Sequence, residues 1–223
     1  MKTIRVMSHN LWRCDGNAPA WEAKGEDCSA AVRAKGFAQV YRETRPDVVG
    51  LQECSARMAH ALMTRLAEER LPYALLWGRD TPVLYRRDTF ELLDSAFLLY
   101  PEEVPGLEGS FNNYSTKSYC FAVLREKESG KTVLVGTTHL WSKSGDPASK
   151  SYQKGSEEAR TYQMGLFLEK AEELQARYDC PAFILGDLNA YYASPAVQSA
   201  LARGFVHAWD AATGYRDETS GMC

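Results

Sequence analysis

No apolar run approaches the ~18 residues of a membrane span, and no repeat, low-complexity tract or Pro/Gly/Ser-rich linker divides the 223 residues. The six cysteines include no Cys-x-x-Cys pair, so a structural zinc site lacks its usual ligand spacing. A glycine-rich phosphate loop, a His-Glu-x-x-His helix and a Ser-His-Asp arrangement are missing as well. Nor does charge of one sign dominate: 26 basic against 29 acidic residues give −3, which excludes a globally basic nucleic-acid binder and leaves a local basic cleft open. The start, "MKTIRVMSHNLW", turns polar too soon for a signal peptide. The expectation is a cytoplasmic, monomeric protein with reduced thiols, the alternative being a removed signal peptide and a Cys14–Cys28 pair in an oxidising compartment.

What is present is an ordinary globular composition, 45% apolar and 25% charged, with a length that suits one large domain spanning residues 1–223. Strand-length apolar runs alternate with helical stretches. "TIRVMSHN" reads as a first strand, and "RPDVVGLQE" as a buried one because Val48, Val49 and Leu51 leave little polar alternation. Residues 30–44 read as a helix with Phe37, Val40 and Tyr41 on one face. Ser55 caps a second helix carrying Ala59, Leu62, Met63 and Leu66. Five further strands follow, the last two joined by a turn at 128–131 as a hairpin, so part of the sheet is antiparallel. A long helix begins near Ser156 with Met164, Phe167, Leu168, Ala171, Leu174 and Tyr178 as its stripe, and "PAFILGD" returns to the sheet. A mixed sheet with covering helices fits this alternation. The long polar loops 12–28, 100–117 and 141–155 are where binding surfaces are expected.

Four of these strands end in polar groups. The first ends in Asn10, the second in Glu53, the hairpin strand in His139, and the last in Asp187 and Asn189. One such ending reads as a turn or a cap. Four together, if the ends meet, form a site with a specific chemistry. Glu53 suits a hard divalent cation, which uses one or two carboxylates beside water and phosphate. Asp187 suits a base for an attacking water. Asn10, Asn189 and His139 suit the stabilisation of phosphoryl oxygens.

The set "SHNLW", "DVVGLQE", "TTHLW" and "GDLNA", in this order and spacing, resembles the endonuclease/exonuclease/phosphatase superfamily, which includes deoxyribonuclease I. The resemblance runs from residue 4 to about residue 210. It implies an α+β (α/β) four-layer α/β/β/α sandwich, two mixed sheets packed face to face with helices outside. It implies a Mg²⁺ cofactor, with Mn²⁺ possible as a substitute, bound at Glu53 with Asn10 beside it. It further implies His139 at the scissile phosphate, Asp187 orienting or deprotonating water, and Asn189 holding water and phosphate. "THLWSKSGDP" followed by "EARTYQ" resembles the deadenylase-type branch, which adds Arg160 and Gln163. Tyr114, Lys117 and Tyr119 lie where relatives place substrate-contacting residues, and Tyr119 joins Asn10 and Arg160 as a phosphate or substrate contact. For each of these, a plain structural role is the competing reading: a solvated arginine, tyrosines anchoring a loop, and Trp12 and Trp141 wedged between sheet and loop instead of stacked on a base or sugar.

The sequence departs from the family at its end. Members normally finish with an Asp-His segment, whereas this sequence ends in "GYRDETSGMC", and the histidines are His9, His60, His139 and His207. A domain incomplete at its C-terminus is the expectation, with His207 read as an edge-strand residue. The resulting reading is a hydrolase that splits a phosphodiester or phosphomonoester by in-line attack of water. Its substrate would be a nucleic acid, a phospholipid headgroup or a small phosphoester. The alternatives are a non-catalytic phosphate- or nucleic-acid-binding domain of the same fold and, within enzymes, a sphingomyelinase-like or sugar-phosphate hydrolase.

Overall fold

The computed structural model describes residues 3–13 and 19–214. Two four-stranded mixed sheets stack face to face. The first comprises β1 (Val6–Asn10), β2 (Val48–Gln52), β4 (Val83–Arg86) and β3 (Tyr73–Leu76), in that spatial order. The second comprises β5 (Phe90–Leu99), β6 (Ser118–Glu126), β7 (Thr132–His139) and β8 (Ala182–Asp187). β1 pairs parallel to β2 and β7 parallel to β8, while β6 and β7 form the antiparallel hairpin expected from the 128–131 turn.

Period-two alternation explains why these strands read as continuous apolar runs. Along β6, Cys120, Ala122 and Leu124 face the inter-sheet core with Val48, Val83, Val133 and Val135. The intervening Tyr119, Phe121 and Val123 face outward under α4 (Ser156–Tyr178) and α5 (Pro195–Ala202). On the other side, Val49 and Leu51 pack beneath α2 (Ala30–Thr44) and α3 (Ala56–Glu68). Helices outside, two sheets inside: the four-layer sandwich is the fold. Two short helices, α1 (Pro19–Glu22) and α6 (Ala208–Ala211), complete the described elements.

Local chemistry matches the reading at most boundaries. The Ser55 hydroxyl accepts from Met58 N at 3.1 Å and so caps α3. Two expectations change. The buried stripe of α2 is Ala30, Ala34, Ala38 and Tyr41, while Val40 is exposed. Small side chains let this helix approach the sheet closely, a signal that large-residue periodicity overlooks. His207 is not on an edge strand: it precedes α6, its ring edge-on to Tyr192 at 5.2 Å. The alanine-rich run behind it favours helix.

Among the described residues, β1 and β8 are edge strands lying side by side, Gly186 N–H donating to Ser8 Oγ at 3.1 Å. No helix among the described residues is long and apolar enough to cross a membrane. The expected Cys14–Cys28 pairing and the "GYRDETSGMC" ending, apart from its Gly214, lie outside the described residues.

Candidate active site

β1, β2, β7 and β8 run so that their C-terminal ends meet at one rim of the sandwich, which brings Asn10, Glu53, His139 and Asp187 together. Parallel pairing does this directly, because Asn10 sits opposite Gln52 and His139 opposite Asp187. Gln52, fully buried, ties the sheets by donating to Thr137 Oγ1 at 2.8 Å. Immediately after it, Glu53 turns into a left-handed conformation (φ 56°), and Asn189 does the same after β8 (φ 48°). Such geometry costs a non-glycine residue about 1–2 kcal/mol, and at both positions side-chain hydrogen bonds hold the turn. Glu53 accepts from Arg13 N–H at 2.8 Å and from Asn10 Nδ2 at 3.0 Å. The backbone N–H of Asn189 donates to Asp187 Oδ1 at 3.1 Å, and its amide donates to Leu140 O at 3.1 Å.

Asn10 is the joint of the site. Its amide oxygen accepts from Trp12 N–H at 2.8 Å, which orients the amide so that Nδ2 points at both carboxylates: Glu53 Oε1 at 3.0 Å and Asp187 Oδ2 at 2.8 Å. By donating to both, Asn10 aligns the two carboxylates.

A buried chain of ionisable groups runs alongside. His139 Nδ1 lies 2.8 Å from Asp80 Oδ2, and Arg13 closes on the other carboxylate oxygen of Asp80. Burial alone would raise the Asp80 pKa, but the hydrogen bonds and charge from His139 and Arg13 outweigh it and hold the carboxyl below its usual range. An ionised Asp80 can only accept, so Nδ1 carries a hydrogen. On the other side of the ring, Nε2 lies 2.6 Å from Lys117 Nζ. Burial lowers the Lys117 pKa to about 8, with Asp80, Asp187 and Glu53 pulling it back up. Asn112, fully buried, fixes the lysine backbone, accepting from Lys117 N–H at 2.8 Å and donating to its carbonyl at 2.9 Å. These groups open onto a cleft of about 310 Å³ lined by Arg13, Glu53, Lys117, His139 and Asn189, with Tyr114 and Lys143 on its walls.

Two expected contacts are elsewhere. Tyr119 is packed between Tyr100, Phe121 and Phe167 because its place on β6 points it under α4. Arg160 is buried on α4 and donates to Trp141 O at 3.0 Å and Lys143 O at 2.7 Å, so it braces the loop after β7 instead of meeting a phosphate. Gln163 does likewise through Trp141 N–H at 2.8 Å. Trp141 is wedged beneath that loop against Phe111, while Trp12 is 45% exposed. Asp80 escaped the sequence reading. "GRDTP" looks like a turn between two strands, and its partner lies 59 residues away.

Glu53, His139 and Asp187 each offer an atom within 4.8 Å of the others, an arrangement able to hold a cation. Both nitrogens of His139 are engaged, so the two carboxylates are the better ligands for a hard ion. A family model for the endonuclease/exonuclease/phosphatase family matches residues 7–223. The chain belongs to this family. Its members hydrolyse phosphoester bonds, and the site just described stands on their fold. Among solved structures, a family member from Bacteroides vulgatus is 22% identical with a TM-score of 0.68, covering 92% of this chain and 73% of its own. A mannosyl-6-phosphatase from Bacteroides thetaiotaomicron is 22% identical with a TM-score of 0.65, over 91% and 71%. The catalytic domain of human Nocturnin, with a bound sulfate anion, is 20% identical with a TM-score of 0.60, over 87% and 68%. These likenesses concern the fold. No curated protein matches the chain by sequence.

Proposed function

We propose that the protein is a Mg²⁺-dependent hydrolase, able to use Mn²⁺, that cleaves a phosphomonoester or phosphodiester by in-line attack of water. The observation that carries this reading is the single amide of Asn10 bridging Glu53 and Asp187 beside the Lys117–His139–Asp80 chain. Glu53 and Asp187 would hold the cation, which when bound supplies charge against the phosphoryl oxygens. Asp187, the more accessible end of the array, also orients the water and takes its proton as the oxygen–phosphorus bond forms. Lys117 presents its ammonium to the phosphoryl and departing oxygens, in a buried setting that strengthens the interaction. Asp80 and His139 hold that ammonium in place. Asn189 keeps one amide hydrogen for the phosphate after its bond to Leu140. Sulfate in Nocturnin and the monoester named for the Bacteroides phosphatase are consistent with a tetrahedral anion in this fold.

The test is a panel of phosphomonoesters and phosphodiesters assayed with Mg²⁺ or Mn²⁺ beside a chelated control. Hydrolysis should vanish on chelation and fall by about a hundredfold or more in Glu53→Gln and Asp187→Asn. A folded wild-type protein that cleaves nothing in the panel would favour the binding-domain alternative.

A further inference from the structure

Tyr114 is 92% exposed, yet it occupies the cleft wall in a left-handed conformation (φ 57°, ψ 20°) within the turn Asn113–Ser115, and Ser115 is left-handed too (φ 55°). Glycine or asparagine would adopt this backbone at lower cost. The fold gains nothing from the ring, which leaves most of its area in water. The turn itself is firmly held. Asn112 anchors one side, and on the other Thr116 Oγ1 donates to Asn113 O at 3.1 Å, just before buried Lys117. The facing wall is equally fixed, since Arg160 holds the carbonyls of Trp141 and Lys143; Ser142 and Lys143 line the cleft there, the Lys143 ammonium lying over the Trp141 ring at 5.6 Å.

Apart from Trp141, only 2% exposed, the rest of the lining beyond the phosphate end is hydrogen-bonding: Asn113, Thr116, Ser142 and Lys143. One aromatic face with polar groups around it matches a hydroxylated ring, whose C–H face meets the negative face of the tyrosine while its hydroxyls find partners at the edge. At about 310 Å³ the cleft is at the small end of ligand pockets. Among the described residues the lysines and arginines of its lining are Arg13, Lys117 and Lys143, and Lys117 serves the phosphoryl group itself. A polynucleotide rewards many phosphate contacts along its backbone, more than these clustered residues supply.

We propose that the substrate is a sugar phosphomonoester whose ring stacks on Tyr114, making Tyr114 the residue that sets specificity. This rests on the phosphoester reading of the same cleft and adds the carrier of the phosphate to it. Binding of non-cleavable phosphonates in Mg²⁺ tests it separately from hydrolysis. A hexose 6-phosphonate, a nucleoside 5′-phosphonate, a propyl phosphonate and a short single-stranded oligonucleotide are titrated into wild type, Tyr114→Phe and Tyr114→Asn. Asparagine suits the left-handed backbone and removes the ring. Wild type and Tyr114→Phe should prefer the hexose analogue over the propyl one by about tenfold. In Tyr114→Asn that preference should collapse to about twofold or less. A preference that persists in Tyr114→Asn, or is missing from wild type, overturns the proposal. So does tighter binding of the nucleoside analogue or the oligonucleotide than of the hexose. Ring preference without hydrolysis of any ester would sink the catalytic reading alone. Hydrolysis without ring preference would sink only the sugar assignment.

Discussion

Asp80 and Lys117 sit at opposite ends of one imidazole, and the fold lowers the pKa of each, for different reasons. Asp80 is held below its unfolded value, so its contribution to stability is present above about pH 4 and is lost as pH falls through the folded pKa. Asp80→Asn keeps the shape but turns an amide N–H₂ toward Arg13 or His139, leaving a donor against a donor. The expected loss is about 3 kcal/mol, the low end for breaking a buried pair because Arg13 can turn to solvent. Urea midpoints at neutral pH check this, and the gap between variant and wild type should narrow below pH 4. An unchanged midpoint would mean the chain of charges is not formed. Lys117 has the same sign from another cause, because burial disfavours its charged form. Its folded pKa of about 8 is below the unfolded lysine value of about 10.4, so the unfolded state binds more protons between these values and stability rises with pH across that window. Activity should fall over the same range as the ammonium is lost. A pH–rate profile with its basic limb near 8, moved to higher pH in Lys117→Arg, is the expected outcome.

At the scale of elements, the site depends on how closely β2 meets β7 and β8. A Cβ added at Gly50 would sit 2.8 Å from Thr137 Cβ and 3.1 Å from Leu185 Cδ1, inside the contact distance that side chains tolerate. Gly50→Ala should therefore push the sheets apart, at a cost of about 1–3 kcal/mol for overpacking. Because Gln52 bridges to Thr137 only two residues on, the same change should also weaken the proposed metal binding at Glu53. Calorimetric unfolding together with Mg²⁺ titration separates the two effects, and a variant with wild-type values in both would show the inter-sheet distance to be forgiving.

For the molecule as a whole, two carboxylates converging at the rim are a standing repulsion that a bound cation relieves. Saturating Mg²⁺, at about 100 times its Kd, should stabilise the native state by about 2.7 kcal/mol. For a protein of this size that corresponds to a melting temperature higher by about 5–10 °C. The rise should disappear in Glu53→Gln while circular dichroism in chelator stays native, since Asn10 already aligns the site. A Mg²⁺-independent melting temperature in wild type would count against the proposed ligands.

Much of this was legible in one dimension. Val48, Val49 and Leu51 announce a strand buried on both faces, Ser55 announces its helix, and the polar residues after each apolar run mark where strands stop. Asn10, Glu53, His139, Asp187 and Asn189 can be singled out as candidates this way because a polar group ending an apolar run is a local signal. Asp80 and Lys117 carry no such signal. One looks like a turn residue and the other like a loop cation, and only the packing of two sheets makes them partners of His139. The same holds for Arg160 and Tyr119, whose side chains could equally serve a substrate or the scaffold until helix and strand phases aim them inward. Local order along a chain determines which residues end an element. Which of those ends share a cleft, and which atom of an amide or imidazole faces the substrate, depends on contacts between residues far apart in sequence, and those exist only once the sandwich has closed.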